Sequence, residues 1–281
     1  MSAIVFPTAA ENDVEIEVIK DIEYLGQGRK LTLDLYLPPD SSKPRPSVLI
    51  VHGGGWHGGD KAAKREINIG TNLAKAGYVC ASVNYVLAEK KDSFVDNLRQ
   101  VWPHNLQDCM KAVQFLRANA EKYQIDLENI GAIGGSAGGH LVAMLAYASD
   151  YDGLDPKDGP HADQSCRIQA VAPMYGVYDL LLLAKEREML EDLSEEDKVL
   201  CHAASPVSYL DGDDPPALLL HGTRDALVPV SQSEALHTAL EEQGLPTQLH
   251  IVDGGKHSFH LQPPQEDLRP LVIGFFDQHL K

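Results

Sequence analysis

The chain is short of basic residues. Its 24 Lys and Arg stand against 41 Asp and Glu over 281 residues, a formal net charge of −17. A phosphate backbone or an anionic bilayer needs a basic face, so neither nucleic acid nor membrane is an expected partner. Cysteine is scarce too, and Cys80, Cys109, Cys166 and Cys201 form no C-x-x-C pair. Cys80, in an apolar strand, and Cys109, in an amphipathic helix, are expected as buried free thiols; a Cys166–Cys201 disulfide is left open. No apolar run approaches the length of a membrane span, and residues 1–6 lack the basic n-region and apolar core of a signal peptide. A reducing cytoplasm is the expected location. No His, Cys or carboxylate grouping has metal-ligand spacing, and neither G-x-x-x-x-G-K-[ST] nor G-x-G-x-x-G occurs, so no metal and no cofactor are expected. Repeats, low-complexity tracts and linkers are lacking as well, and residues 1–281 read as one domain.

What is present is an alternation of strands and helices. A hydrophobic fraction of 43% suits a sizeable core. Residues 15–18 and 31–37 alternate apolar and polar side chains, as antiparallel edge strands do. Residues 47–51 and 78–83 are dense apolar runs suited to buried parallel strands, with a crossover helix over 68–76 stopped by Gly77. A helix is predicted over 106–123, a strand over 129–133, and a helix over 140–147. Strands over 168–175, 217–221 and 248–252 follow, then a closing helix over about 266–280. This order predicts an α/β fold with a mainly parallel sheet, whose reacting groups lie beyond the carboxyl ends of the strands. Residues 177–204 interrupt the rhythm with leucine-rich helical sequence. They read equally as a small cap over the site or as a surface helix pair.

Two glycine-rich junctions, with an acid and a histidine after later strands, carry the chemistry. Gly134-Gly135-Ser136-Ala137-Gly138 joins a strand to a helix and matches the G-x-S-x-G nucleophile elbow. His52-Gly53-Gly54-Gly55-Trp56 follows the 47–51 strand. Three successive glycines are costly in chain entropy, and their use is to turn backbone amides toward a developing oxyanion. Gly54, Gly55 and Ala137 are the expected donors. Serine needs a base and an orienting acid, in the chain order Ser, acid, His for this fold. Asp225 follows the 217–221 strand and His257 follows the 248–252 strand. Asp253 competes for the first role and His260 and His221 for the second. Asp211, Asp213 and Asp214 precede a strand and fall at the wrong edge of the sheet. His52 is expected to prop its loop and His140 to be packed or hydrogen-bonded. Trp56 and His57 are placed along the substrate pocket, with core packing open for Trp56.

His52-Gly53-Gly54-Gly55-Trp56, Val83-Asn84-Tyr85, the 134–140 elbow and His221-Gly222-Thr223-Arg224-Asp225 together resemble the esterase and lipase group of the α/β-hydrolase superfamily. That group includes acetyl-xylan and feruloyl esterase-like enzymes and relatives of hormone-sensitive lipase. The resemblance spans nearly the whole chain and implies a mainly parallel eight-stranded sheet flanked by helices, with a small cap insertion at 177–204. It also implies hydrolysis of small-molecule esters by Ser136, Asp225 and His257. Hormone-sensitive-lipase relatives build a larger cap partly from an N-terminal extension. This chain opens almost directly on strands, so short acetyl-type esters are expected rather than triglycerides. An arylformamidase-like amide hydrolase is the alternative, and a non-catalytic binding protein on the same scaffold stands behind it. Homo-oligomerisation is left open.

Overall fold

The computed structural model describes residues 15–26, 28–39 and 43–281. Residues 1–6, the basis of the signal-peptide expectation, lie outside them. Eight strands form one sheet in the order β1-β2-β4-β3-β5-β6-β7-β8. They are β1 (Glu17–Glu23), β2 (Thr32–Leu37), β3 (Arg45–Val51), β4 (Val79–Val83), β5 (Ile125–Gly135), β6 (Ala170–Met174), β7 (Ala217–Gly222) and β8 (Thr247–Val252). β1 and β2 pair antiparallel with each other, and β2 with β4; every other pairing is parallel. The chain has the α/β-hydrolase sheet that its sequence predicts.

The period of two in β3 decides how the sheet is covered. Leu49 and Val51 join one core cluster, while Val48 and Ile50 join the other. A strand buried on both faces reads as a continuous apolar run, which is why alternation is missing there. Helix α1 (Lys64–Lys75) brings Ile69 and Leu73 to the second face. On the first face lie α2 (Phe94–Val101), α3 (His104–Ala118), the single turn α4 (Ala120–Tyr123) and α5 (Ala137–Ala148). Between β6 and β7 run α6 (Leu180–Glu186) and α7 (Glu195–Ala203). Helix α8 (Ser231–Glu242) adds Leu236 and Leu240 to the first cluster, and α9 (Arg269–Leu280) adds Val272 and Phe276 to the second.

Several boundaries differ from those read in the sequence. The first strand occupies 17–23 rather than 15–18, with a register shift between Ile19 and Ile22. The helix predicted over 106–123 is split at Asn119, whose side-chain amide donates to the Phe115 carbonyl at 2.9 Å and competes with the backbone ladder. The closing helix starts at Arg269, with Pro270 in its first turn, where a missing N–H costs nothing. Helix α2 has no counterpart in the sequence reading, being only eight residues long; Ser93 caps it by accepting from the Val95 amide at 3.2 Å. The Cys166–Cys201 bridge does not form, and all four cysteines are buried thiols. Among the described residues no helix is long and apolar enough to cross a membrane.

Two glycines give opposite expectations. A Cβ on Gly138 would lie 2.0 Å from the Val51 carbonyl oxygen, whereas one on Gly274 of α9 meets nothing within 4 Å. Gly138→Ala should therefore force β3 and α5 apart and lower the urea midpoint clearly. Gly274→Ala should raise stability by about 0.5–1 kcal/mol through reduced chain entropy. Equal effects would contradict the packing described.

Candidate active site

All the loops of the site leave carboxyl ends of adjacent parallel strands. β5 ends at Gly135, and Ser136 turns the chain into α5 with φ 60° and ψ −123°. For a residue with a side chain that backbone costs on the order of 1–3 kcal/mol. It is held by the Ser136 amide donating to the Met174 carbonyl at 2.9 Å and by the Ser136 carbonyl accepting from His140 at 2.9 Å.

The residues predicted for proton transfer meet. The Ser136 hydroxyl lies 2.9 Å from His257 Nε2, and His257 Nδ1 lies 2.6 Å from Asp225 Oδ2. With Nδ1–H donating to the carboxylate, Nε2 is free to accept from the serine hydroxyl. Asp225 has a side chain with no exposed surface, and its Oδ1 accepts from the Leu227 and Val228 amides at 2.9 Å each. Burial pushes this carboxyl up, but hydrogen bonds from His221 and His257 and from the Val228 amide outweigh it and hold Asp225 well below the usual carboxylate range. His221, weighed as a rival base, sits behind the acid, its Nε2 3.0 Å from the Val228 carbonyl and 3.4 Å from Asp225. Asp253 accepts instead from the Thr223 hydroxyl at 3.2 Å, and His260 Nδ1 accepts from the Gln262 amide at 2.9 Å. Neither is hydrogen-bonded to the Ser136–His257 pair.

The glycine loop is shaped by contacts that only glycine tolerates. Gly54 has φ 123°, and a Cβ there would lie 2.2 Å from the Gly58 carbonyl oxygen. The Gly54 carbonyl accepts from His57 and Gly58, closing the turn, while the amides of Gly54 and Gly55 donate to no group among the described residues. Ala137 is the first residue of α5, so its amide has no helical partner. His52 donates from Nδ1 to Gly53 at 2.9 Å and stacks on Tyr85 with ring centres 4.4 Å apart. Burial pushes His52 down to about 4, so its ring is neutral at pH 7.

Trp56 is 3% exposed and belongs to the core, although one edge lines the cavity beside Ser136. Its indole N–H donates to His140 Nδ1 at 3.1 Å, leaving His140 Nε2 to donate to the Ala204 carbonyl at 2.7 Å. Burial pushes His140 down to about 4, consistent with the neutral ring this relay needs. His57 lines the same cavity, which measures about 680 Å³ and is also walled by Phe94, Val177, Leu183 and Leu227.

Sequence reading did not find the support beneath His257. The Tyr175 hydroxyl donates to the Phe259 carbonyl at 2.5 Å and accepts from Arg65 Nη1 at 3.2 Å. The Tyr175 ring packs edge-on against His257, with centres 5.0 Å apart. Arg65 is in turn paired with the buried Glu66 carboxylate. No spacing signal links α1 to a loop some 190 residues away, so only the fold reveals it. Asp211, Asp213 and Asp214 precede β7 and so lie at the amino ends of the parallel strands, away from the site, where Arg167 donates to the Asp213 carbonyl at 3.2 Å. Among the described residues no group of three or more His, Cys, Asp or Glu is placed to hold a metal ion.

Comparison with known proteins adds the family. The family described as BD-FAE matches residues 33–240. The chain belongs to the BD-FAE family of α/β-hydrolases. It is 32% identical over 253 residues to esterase LipQ of Mycobacterium tuberculosis, covering 86% of this chain and 57% of that one. It is 30% identical over 235 residues to the same organism's probable carboxylic ester hydrolase LipM, covering 79% of this chain and 51% of that one. The chain thus spans just over half the length of these curated relatives. Among solved structures, a truncated carbohydrate esterase from gut microbiota superposes with a TM-score of 0.81 at 24% identity, covering 96% of this chain and 98% of its own. An acetyl ester–xyloside bifunctional hydrolase from Caldicellulosiruptor lactoaceticus gives a TM-score of 0.73 at 26% identity, covering 96% and 94%.

The held-down Asp225 carboxyl sets a pH dependence. Its ionised form adds stability above the unfolded carboxyl value of about 3.9, and that contribution is lost as pH falls from there toward the folded value. Urea unfolding of the wild type and Asp225→Asn at pH 7, 4 and 2.5 should show the wild type's advantage narrowing below pH 4. A gap independent of pH would contradict the arrangement.

Proposed function

We propose that the chain is a serine hydrolase of short-chain, acetyl-type carboxylic esters, working through an acyl-enzyme. The observation that carries this reading is the hydrogen-bond chain Ser136–His257–Asp225, at 2.9 and 2.6 Å, opening on the 680 Å³ cavity. Relatives named as esterases and a structural neighbour described as an acetyl ester–xyloside hydrolase support the same reaction class.

As Ser136 Oγ attacks the ester carbonyl carbon, His257 Nε2 takes its proton. Asp225 orients the imidazole and stabilises its cation. The tetrahedral oxyanion is received by the amides of Gly54, Gly55 and Ala137, donors fixed before charge develops and therefore stronger toward the transition state than toward the ester. His257 then gives its proton to the departing alcohol oxygen as the C–O bond breaks. Water, deprotonated by His257, attacks the acyl-Ser136 carbonyl, and the released carboxylate leaves Ser136 reprotonated. His57 and the cavity edge of Trp56 belong to the substrate wall.

Residues 177–204 act as a small cap within one domain. Val177, Leu183 and Arg187 of that segment line the cavity, and two short α-helices with a 3-10 turn over Leu190–Asp192 between them are available there to cover it. A cap of this size suits water-soluble esters with short acyl groups rather than triglycerides.

Hydrolysis of 4-nitrophenyl esters from acetate to laurate should peak at acetate or butyrate. Ser136→Ala should lower kcat by about 10⁴-fold or more with an unchanged circular dichroism spectrum, and Asp225→Asn by about 10⁴-fold. Full activity in Ser136→Ala would overturn the mechanism. A folded wild type inert toward every ester would favour the arylformamidase-like or binding-protein alternative.

A further inference from the structure

The cavity beside Ser136 reverses the charge balance of the rest of the chain. Lys90, Lys91 and Arg187 all line it, with Asp92 the one carboxylate among its described lining residues. In a chain with 41 acidic and 24 basic residues, that is a local excess of cations. Lys90 and Lys91 are exposed and have no acidic partner among the described residues.

Their backbone, by contrast, is fixed. Gln100 clamps Glu89, accepting from its amide at 3.1 Å and donating to its carbonyl at 3.0 Å. Buried Asn97 accepts from the Lys91 amide at 2.7 Å and donates to the Lys91 carbonyl at 3.3 Å. The two lysines therefore stand on a cavity-lining segment pinned to α2, and no described carboxylate pairs with their ammonium groups. Arg187 lines the same cavity, one nitrogen donating to the Leu227 carbonyl at 2.6 Å while its guanidinium lies 5.8 Å from the centre of the Phe94 ring. Arg187 also has no acidic partner among the described residues. Positioned cations at the edge of a cleft walled by Phe94, Val177, Leu183 and Leu227 focus their field inward, where apolar walls weaken screening.

We infer that Lys90, Lys91 and Arg187 form a subsite for a negatively charged group, so that the preferred substrates are esters carrying an anion, a carboxylate or its equivalent, away from the scissile bond. This rests on the ester-hydrolase reading above and names the substrate class of that site.

Two matched pairs test it by placing the charge on either side of the ester. One is 4-acetoxybenzoate against 4-acetoxybenzamide, with the charge on the alcohol side. The other is the 4-nitrophenyl monoester of adipic acid against its terminal amide, with the charge on the acyl side. At low salt the charged member of at least one pair should have about tenfold higher kcat/KM. That ratio should fall toward one in ~0.5 M NaCl, as expected for partly exposed charges, and invert in the double variant Lys90→Glu/Lys91→Glu. Equal or lower kcat/KM for the charged member of both pairs overturns the anion subsite and leaves the esterase reading standing. If no ester is turned over, the esterase reading fails, and calorimetry on Ser136→Ala decides the subsite separately. Tighter binding of 4-acetamidobenzoate than of 4-acetamidobenzamide, lost in the double variant, supports it; equal binding overturns it.

Discussion

The close approach of α5 to the end of β3 is the contact on which the site depends. The Val51 carbonyl oxygen lies where a Cβ at position 138 would stand, so the helix can begin only if that position is glycine. This contact puts the first turn of α5 against the glycine loop that leaves β3. Ser136 and the Gly54–Gly55 amides come from segments about eighty residues apart, yet they share one edge of the sheet because β3 and β5 are parallel neighbours. The strained serine backbone is sustained by the same arrangement, since β6 supplies the carbonyl that binds its amide. Removing the contact would disturb Ser136 and the Gly54–Gly55 amides together.

Asp225 is a second constraint, and it is electrostatic. A carboxylate with no exposed surface is unfavourable unless its lone pairs are occupied. Here two backbone amides and two imidazoles surround it, and the cost of burial is met by directed hydrogen bonds. The imidazole that matters is fixed from three directions. Asp225 holds Nδ1, the Tyr175 ring lies against its edge, and the Tyr175 hydroxyl holds the Phe259 carbonyl two residues along the same loop. His257 is thus placed by a network that begins on α1 at Arg65 and Glu66.

Much of the arrangement was legible in the sequence because it rests on local signals. Glycines flanking Ser136, three successive glycines after a dense apolar strand, and an aspartate and a histidine each just past a strand all mark their positions without knowledge of the fold. The sheet was legible for a similar reason, because buried parallel strands write themselves as apolar runs. The boundaries that shifted were set by competition too fine for pattern, as at Asn119, where one side-chain amide interrupts a helix. Arg65, Tyr175 and the pinned lysines were illegible for a different reason. Their roles come from contacts between segments distant along the chain, and an arginine on a helix or two lysines in a loop look like ordinary solvated surface until the fold brings them to one cavity.

His140 has a consequence for any redesign of this scaffold. Its two nitrogens tie the tryptophan that follows the glycine loop to the carbonyl of Ala204, at the end of the 177–204 segment just past α7. That segment walls the cavity through Val177, Leu183 and Arg187, so a protein engineer would rebuild it to change what enters. It is not modular at its C-terminal junction. A replacement that moves the Ala204 carbonyl leaves a buried imidazole N–H without an acceptor, and the vacancy is passed directly to the indole that follows the glycine loop. Libraries built in this segment should therefore keep the 204 junction fixed and vary the stretch before it, or a change in the cavity wall becomes, unintentionally, a rearrangement around the glycine loop.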